Sequence, residues 1–182
     1  MLKERIFVYG QHAVIPAAAV ATAELAKKHT IVAAGLQKYS SMAQYICVND
    51  PGQLDELMLK KLENVNVLAP RNLYAKYVFH AGIECLPNFQ ELQPYKWDPH
   101  AVSQQLLCVA LAAWLGAEEI YLFGYAINDD KELDNIQAMA LLYPNVEFLL
   151  AYKDQPNINI KKIPNLVLLD QPQYKERMRQ NG

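Results

Sequence analysis

The sequence predicts an α/β protein, a single domain in which a mostly parallel, twisted sheet is flanked by helices. Three observations carry this. Short runs rich in β-branched and aromatic residues, such as Arg5 to Tyr9 and Ile120 to Phe123, alternate with longer segments of helical apolar spacing. The segments between them are short and carry Gly, Pro, Asn and Asp, the residues that strand-to-helix turns require. A chain of 182 residues, 52% hydrophobic and 20% charged, is long enough for one substantial core and short for two full-sized domains.

Taken in order, Arg5 to Tyr9 is a buried first strand ended by Gly10. Pro16 suits a first helical position, and the Ala-rich stretch Ala17 to Lys28 closes on Lys27, Lys28 and His29, where positive charge favours the helix dipole. Thr30 to Ala34 and Tyr45 to Val48 are the next strands, the latter stopped by Asn49, Asp50, Pro51 and Gly52. Leu54, Leu57, Met58 and Leu62 have helical spacing, and Val65 to Leu68 follows as a strand. Tyr74 to Gly82 reads equally as a strand or a short helix, and Cys85 to Trp97 as an irregular connection.

Asp98 and Pro99 predict a helix start, with an N-cap carboxylate before a first-turn proline, and the helix runs from about His100 to Leu115 with Gly116 as its C-cap. It is apolar on nearly every face after Gln105, so it should be buried on more than one side. Ile120 to Phe123 is a central strand, and Asp130 to Leu142 a helix with Leu133, Ile136, Ala140 and Leu141 on its apolar stripe. Val146 to Leu150 and an edge strand at Leu166 to Leu169 complete the pattern. We therefore expect a Rossmann-like domain over residues 1–170 and a charged tail over 171–182 that frays or forms a terminal helix.

Composition excludes several functions. A net charge of −2 with no basic stripe argues against a nucleic-acid partner. Neither of the longest apolar stretches, Ala13 to Ala23 and Leu106 to Gly116, is long enough to span a bilayer, and the N-terminus shows no signal-peptide pattern, so the expectation is a soluble, cytoplasmic protein. Cys47, Cys85 and Cys108 are odd in number and lack CxxC spacing, and read as reduced core thiols. The four His show no metal-ligand spacing, so neither a metal nor another cofactor is expected.

In an open parallel sheet, ligands bind beyond the carboxyl ends of the strands, where a helix N-terminus offers free N–H groups to a phosphate. Gly10, Gln11 and His12 fall there. Their single glycine is not a dinucleotide fingerprint, and a plain strand-to-helix turn explains them equally. Asn49 and Asp50 end the third strand, poised for a ribose or base or else for an Asx turn with Pro51 and Gly52. Ser103, Gln104 and Gln105 are the polar run of the apolar helix, able to reach an anion; for the two glutamines a solvated helix face is the simpler account. His100 is a candidate acid or base on side-chain chemistry alone. His12, His29 and His80 have no carboxylate at useful spacing, and Asp129, Asp130, Glu132 and Asp134 read as a solvated helix start.

The segment CVALAAWLGAEEIYLFGYAI, Cys108 to Ile127, resembles a stretch of the bacterial sialyltransferases and related motility-associated glycosylation factors. IFVYGQ at Ile6 to Gln11 and AQYICVND at Ala43 to Asp50 resemble, in order, that family's first strand with its nucleotide loop and its third strand. The resemblance implies a nucleotide-sugar transferase fold, with Gln11, Asn49 and Ser103 at nucleotide-contacting positions and a nucleotide or nucleotide-sugar of the CMP-sialic-acid type as ligand; an enzyme of this kind would need a base from outside the family's pattern, such as His100. The chain departs from the family at Ala13, Val102, Gln104 and Ala126, and has no histidine between Gly124 and Val146 where the family carries a lid with its base. A non-catalytic relative acting as an interaction or assembly protein, through self-association or another protein partner, is the alternative those departures support.

Overall fold

The computed structural model describes residues 4–12, 24–60, 62–89, 102–125, 130–152 and 162–180. Eight strands form one sheet: β1 (Arg5–Tyr9), β2 (Thr30–Ala34), β3 (Tyr45–Cys47), β4 (Asn66–Ala69), β5 (Ile83–Cys85), β6 (Glu119–Phe123), β7 (Glu147–Ala151) and β8 (Leu166–Leu169). Their order is β5-β4-β3-β2-β1-β6-β7-β8, and every neighbouring pair is parallel. The strands β1, β2 and β8 have the limits their local patterns predict, and β8 is an edge strand. The chain winds outward from β1 to β5, then returns to lay β6 along the free side of β1. This reversal is the topological switch point of a Rossmann-like sheet, and a crevice opens at its carboxyl edge.

Helices cover both faces. Residues 24–28 are helical (α1), the rest of the helix expected at Ala17 to Lys28 lying outside the described residues; α2 is Pro51–Lys60, α3 Arg71–Tyr74, α4 Gln104–Trp114, α5 Asp130–Leu142 and α6 Gln171–Gln180. Alternate strand residues divide between two cores, as a sheet buried on both sides requires. Ile6, Val8, Val32, Ile120 and Leu122 pack under α4 and α5, whereas Phe7, Tyr9, Ile31, Tyr121 and Phe123 meet Leu25, Leu54, Leu57 and Tyr174 on the opposite face. Residues Leu107 to Ala112 of α4 are at most 1% exposed, because that helix lies over β1, β2 and β3 and also against α5. Its expected burial on several sides is thereby explained. No helix among the described residues is long and apolar enough to cross a membrane.

Several local expectations are corrected. The helix expected from Leu54 begins at Pro51, where proline's fixed φ suits the first turn. The segment expected as either strand or helix at Tyr74 to Gly82 follows the short helix α3 as a run of turns, and β5 emerges just after it, at Ile83–Cys85, sharing only Cys85 with the expected irregular connection. Three-residue strands are too short to show a period. The long helix is capped by Ser103, whose hydroxyl accepts the Leu106 N–H at 3.2 Å, so it starts later than the Asp98–Pro99 signal suggests; Asp98, Pro99 and His100 lie outside the described residues. Of the expected stripe, Leu133, Ile136 and Ala140 are buried, whereas Leu141 is 67% exposed and Gln137 and Met139 face the core in its place. Cys85 is exposed on the edge strand β5, while Cys47 and Cys108 are buried.

The amino end of the switch point holds a buried charge cluster. Arg5 and Glu119 are cross-strand partners, with Arg5 Nε 2.9 Å from Glu119 Oε2. Arg177 of α6 reaches Glu119 Oε1 at 3.2 Å and Glu147 Oε2 at 2.5 Å. Residues 171–180 thus form a helix held by these contacts and by Tyr174, which packs edge-on against Phe123 at 5.2 Å.

Candidate functional site

The crevice is built where β1 and β6 end and where α4 and α5 begin. Gly10 donates its N–H to the Phe123 carbonyl at 2.6 Å, and His12 donates to the Gly124 carbonyl at 3.0 Å, so the two turns run against each other. A side chain at Gly10 would collide with the Gly124 carbonyl and with Gln105 Oε1. Gly124 has φ +69°, and a Cβ there would lie 2.6 Å from the His12 carbonyl. Glycine is therefore required at both positions by contact, and at Gly124 also by conformation.

Gln105 ties this junction to α5. Its Oε1 accepts the Gln11 N–H at 3.0 Å, its backbone carbonyl accepts the Tyr125 hydroxyl at 3.0 Å, and its Nε2 donates to Glu132 Oε1 in a short hydrogen bond. Burial pushes the Tyr125 hydroxyl well above the usual tyrosine range, so it stays protonated and donates. The second oxygen of Glu132 lies 3.7 Å from His12 Nε2. His12, Ser103, Gln105, Lys131, Glu132 and Asn135 line a cavity of about 280 Å³ here. The solvated-face account of Gln104 and Gln105 is thus overturned, since they are 8% and 7% exposed. Glu132 likewise departs from a solvated helix start, with a side chain only 12% exposed, and His12 does have a carboxylate neighbour.

A second group of amides meets at the end of β2. Gly35 has φ +64°, and the space a side chain would fill there is bounded by Gln53 Oε1, Gln104 Oε1 and Gln11 Nε2. Gln53 Oε1 accepts the Leu36 N–H at 3.1 Å. Gln104 Oε1 is buried with no hydrogen-bond partner among the described residues.

Of the residues expected from sequence, Gly10, Gln11 and Gln104 come together, with Ser103 at the adjacent cap of α4. Asn49 lies at the same edge, but its Nδ2 donates to the Val102 carbonyl at 2.7 Å and anchors the approach to α4. Asp50 caps α2 by accepting the Gln53 N–H at 2.8 Å, as an Asx-type turn does. The residues not anticipated as partners in the site are His12 with Glu132, and Gly35 with Gln53. A glycine directly after a strand's carboxyl end was the available signal for Gly35; nothing local links His12 to Glu132. A second cavity of about 240 Å³, lined by the side chains of Leu54, Leu57, Met58, Val65, Val67 and Ile83, lies at the amino ends of β4 and β5, and the side chains lining it are all apolar. Among the described residues there is no group of three or more His, Cys, Asp or Glu placed to hold a metal ion.

This is the Rossmann-like α/β architecture with a crevice at its switch point. Its overall shape is shared with the sialyltransferase CstII from Campylobacter jejuni. The structure of that enzyme with the substrate analogue CMP-3FNeuAc matches at a TM-score of 0.53 and 10% identity, over 91% of this chain and 89% of that one. The structure with cytidine-5'-monophosphate matches at 0.52 and 10% identity, over 97% and 99%. A structure of CST-II with a trisaccharide acceptor and CMP matches at 0.53 and 9% identity, over 98% and 100%. These likenesses establish the fold. No protein-family model matches the chain, and no curated protein matches it by sequence.

Proposed function

We propose that the chain is a glycosyltransferase-like protein that binds a nucleotide-activated sugar, of the CMP-sialic-acid type, at the carboxyl ends of β1, β2 and β6. The observation that carries this is Gln104 Oε1, buried beside Gly35 and Gln11 without a donor. An unmet buried acceptor costs about 1–3 kcal/mol, which a ligand N–H or O–H, such as a base amine or a ribose hydroxyl, recovers on binding. Ser103 takes up one backbone donor of α4's first turn, and the helix dipole favours a phosphate at that end. Gln11 and Ser103 then serve as contact residues, with Gly10 holding the turn and Asn49 and Asp50 shaping the edge. The similar solved structures that hold CMP and CMP-3FNeuAc support the choice of nucleotide.

The second reading is a relative of this fold that binds no nucleotide and acts in assembly. It is favoured by how many polar atoms of Asn49, Asp50 and Ser103 are spent inside the fold. A thermal-shift screen against CMP, CDP, UDP, GDP and ATP separates the two. A ligand at 100 times its Kd stabilises by about 2.7 kcal/mol, or about 5–11 °C for a chain of this size. We expect a shift with CMP that Gln104→Leu abolishes. No shift with any nucleotide, together with a Gln104→Leu variant more stable than the parent, supports the assembly reading.

A further inference from the structure

Resting on the nucleotide-sugar reading, we propose that His12 is the proton acceptor of the crevice and that Glu132 is its positioning residue. The inference comes from how Glu132 is held. Gln105 spends its Oε1 on the Gln11 N–H, so its other amide end must donate, and it donates to Glu132 Oε1. The Tyr125 hydroxyl fixes the Gln105 backbone from the other side. The carboxylate is thereby pinned, with its remaining oxygen toward the imidazole of His12 at 3.7 Å. An ordinary surface ion pair has no buried amide dedicated to orienting it, and contributes little. Here the Glu132 side chain is 12% exposed and the His12 side chain 55% exposed, so the carboxylate is sheltered while the imidazole opens to the cavity.

The arrangement sets a pinned carboxylate beside the imidazole at ion-pair distance, so Glu132 acts on His12 through its charge, favouring the imidazolium as it forms. With Nε2 on the Glu132 side, Nδ1 has no partner among the described residues and is the nitrogen that takes the proton. In the step, the oxygen of an acceptor hydroxyl or of water forms a bond to the anomeric carbon as its proton passes to His12 Nδ1. The anomeric C–O bond to the nucleotide phosphate breaks, and its electron pair leaves on the phosphate oxygen. The imidazolium formed faces the Glu132 carboxylate; the other charged group lining the cavity is Lys131, from the same helix.

The test uses the full chain with CMP-N-acetylneuraminic acid and water as acceptor, following CMP release from pH 5 to 9. Thermal stabilisation by CMP is measured on every variant. We expect His12→Ala to lower kcat about 100-fold or more, to retain the CMP shift, and to recover activity when imidazole is added. Glu132→Gln is expected to lower kcat about 10-fold with KM unchanged, and Glu132→Asp to restore part of it. His12→Ala with kcat within threefold of the parent overturns the proposal. So does a parent chain that is stabilised by CMP yet releases none from the donor at any pH, an outcome that leaves the binding reading intact. If the parent shows no CMP shift, the binding reading itself fails.

Discussion

Replacing Arg5 by Met tests what holds the centre of the sheet together. Arg5 and Glu119 are register partners on β1 and β6, 2.9 Å apart, with side chains 6% and 2% exposed. Met keeps most of the arginine stem's packing, so the change isolates the guanidinium. Stranding a buried charge costs about 3–5 kcal/mol, and an ordinary hydrogen bond contributes about 1 kcal/mol. Glu119 keeps Arg177 at 3.2 Å, so the loss falls between these limits, at about 2–3 kcal/mol. That corresponds to a Tm lower by about 4–12 °C. Arg177→Met should cost less, about 1 kcal/mol, because its side chain is 32% exposed and its removal leaves Glu119 its nearer partner. Urea unfolding at pH 7, followed by far-UV circular dichroism, gives both values. If Arg5→Met costs less than Arg177→Met, or under about 1 kcal/mol, Glu119 is not the buried charge described.

Two further outcomes follow from the structure. Gly10→Ala drives a methyl group into the Gly124 carbonyl and Gln105 Oε1, so it should destabilise by about 1–3 kcal/mol and reduce the CMP shift; a variant melting within about 1 °C of the parent contradicts the close approach. Burial, and then the charges of Arg5 and Lys28, hold His29 below its ordinary value of 6.5, so the unfolded chain takes up a proton there before the folded one does. Stability from this group is therefore complete above about pH 6.5 and is lost as pH falls through that value toward the folded-state pKa; His29→Asn should shrink the stability difference between pH 7.5 and 5.5, and an unchanged difference refutes the assignment.

Much of the scaffold is legible in local pattern. Arg5 to Tyr9, Thr30 to Ala34 and the helix at Asp130 to Leu142 have the predicted limits, because a uniform apolar run or a clear helical period ends at residues that cannot continue it. β5 escapes notice because three residues, two of them exposed on an edge strand, carry no period. The start of α4 is misplaced because Asp98 and Pro99 form a strong signal, while Ser103 caps the helix without the glutamate that would mark a capping box. The site divides in the same way. Gly10 and Gln11 draw notice from their place after β1, and Ser103 from its place in the first turns of the expected apolar helix, which it in fact caps. The burial of Gln104 and Gln105 is not, because a polar pair on a helix reads as solvent-facing until the neighbouring turns are known. His12 and Glu132 sit on separate elements, and only the return of β6 beside β1 brings them together.

That return also has a kinetic meaning. β1 gains its first neighbour from residues close along the chain, but Arg5 meets Glu119 across a separation of 114 residues. Closing such a loop carries an entropic penalty before any contact rewards it; the penalty grows only slowly with separation, yet long-range pairings of this kind slow folding. The first five strands can associate while the β1–β6 seam is still unmade. In that interval Gly10 has no Phe123 carbonyl to meet and Gln105 no turn to grip. We expect the crevice to be a late product of folding, so that a ligand recognising it reports the finished sheet.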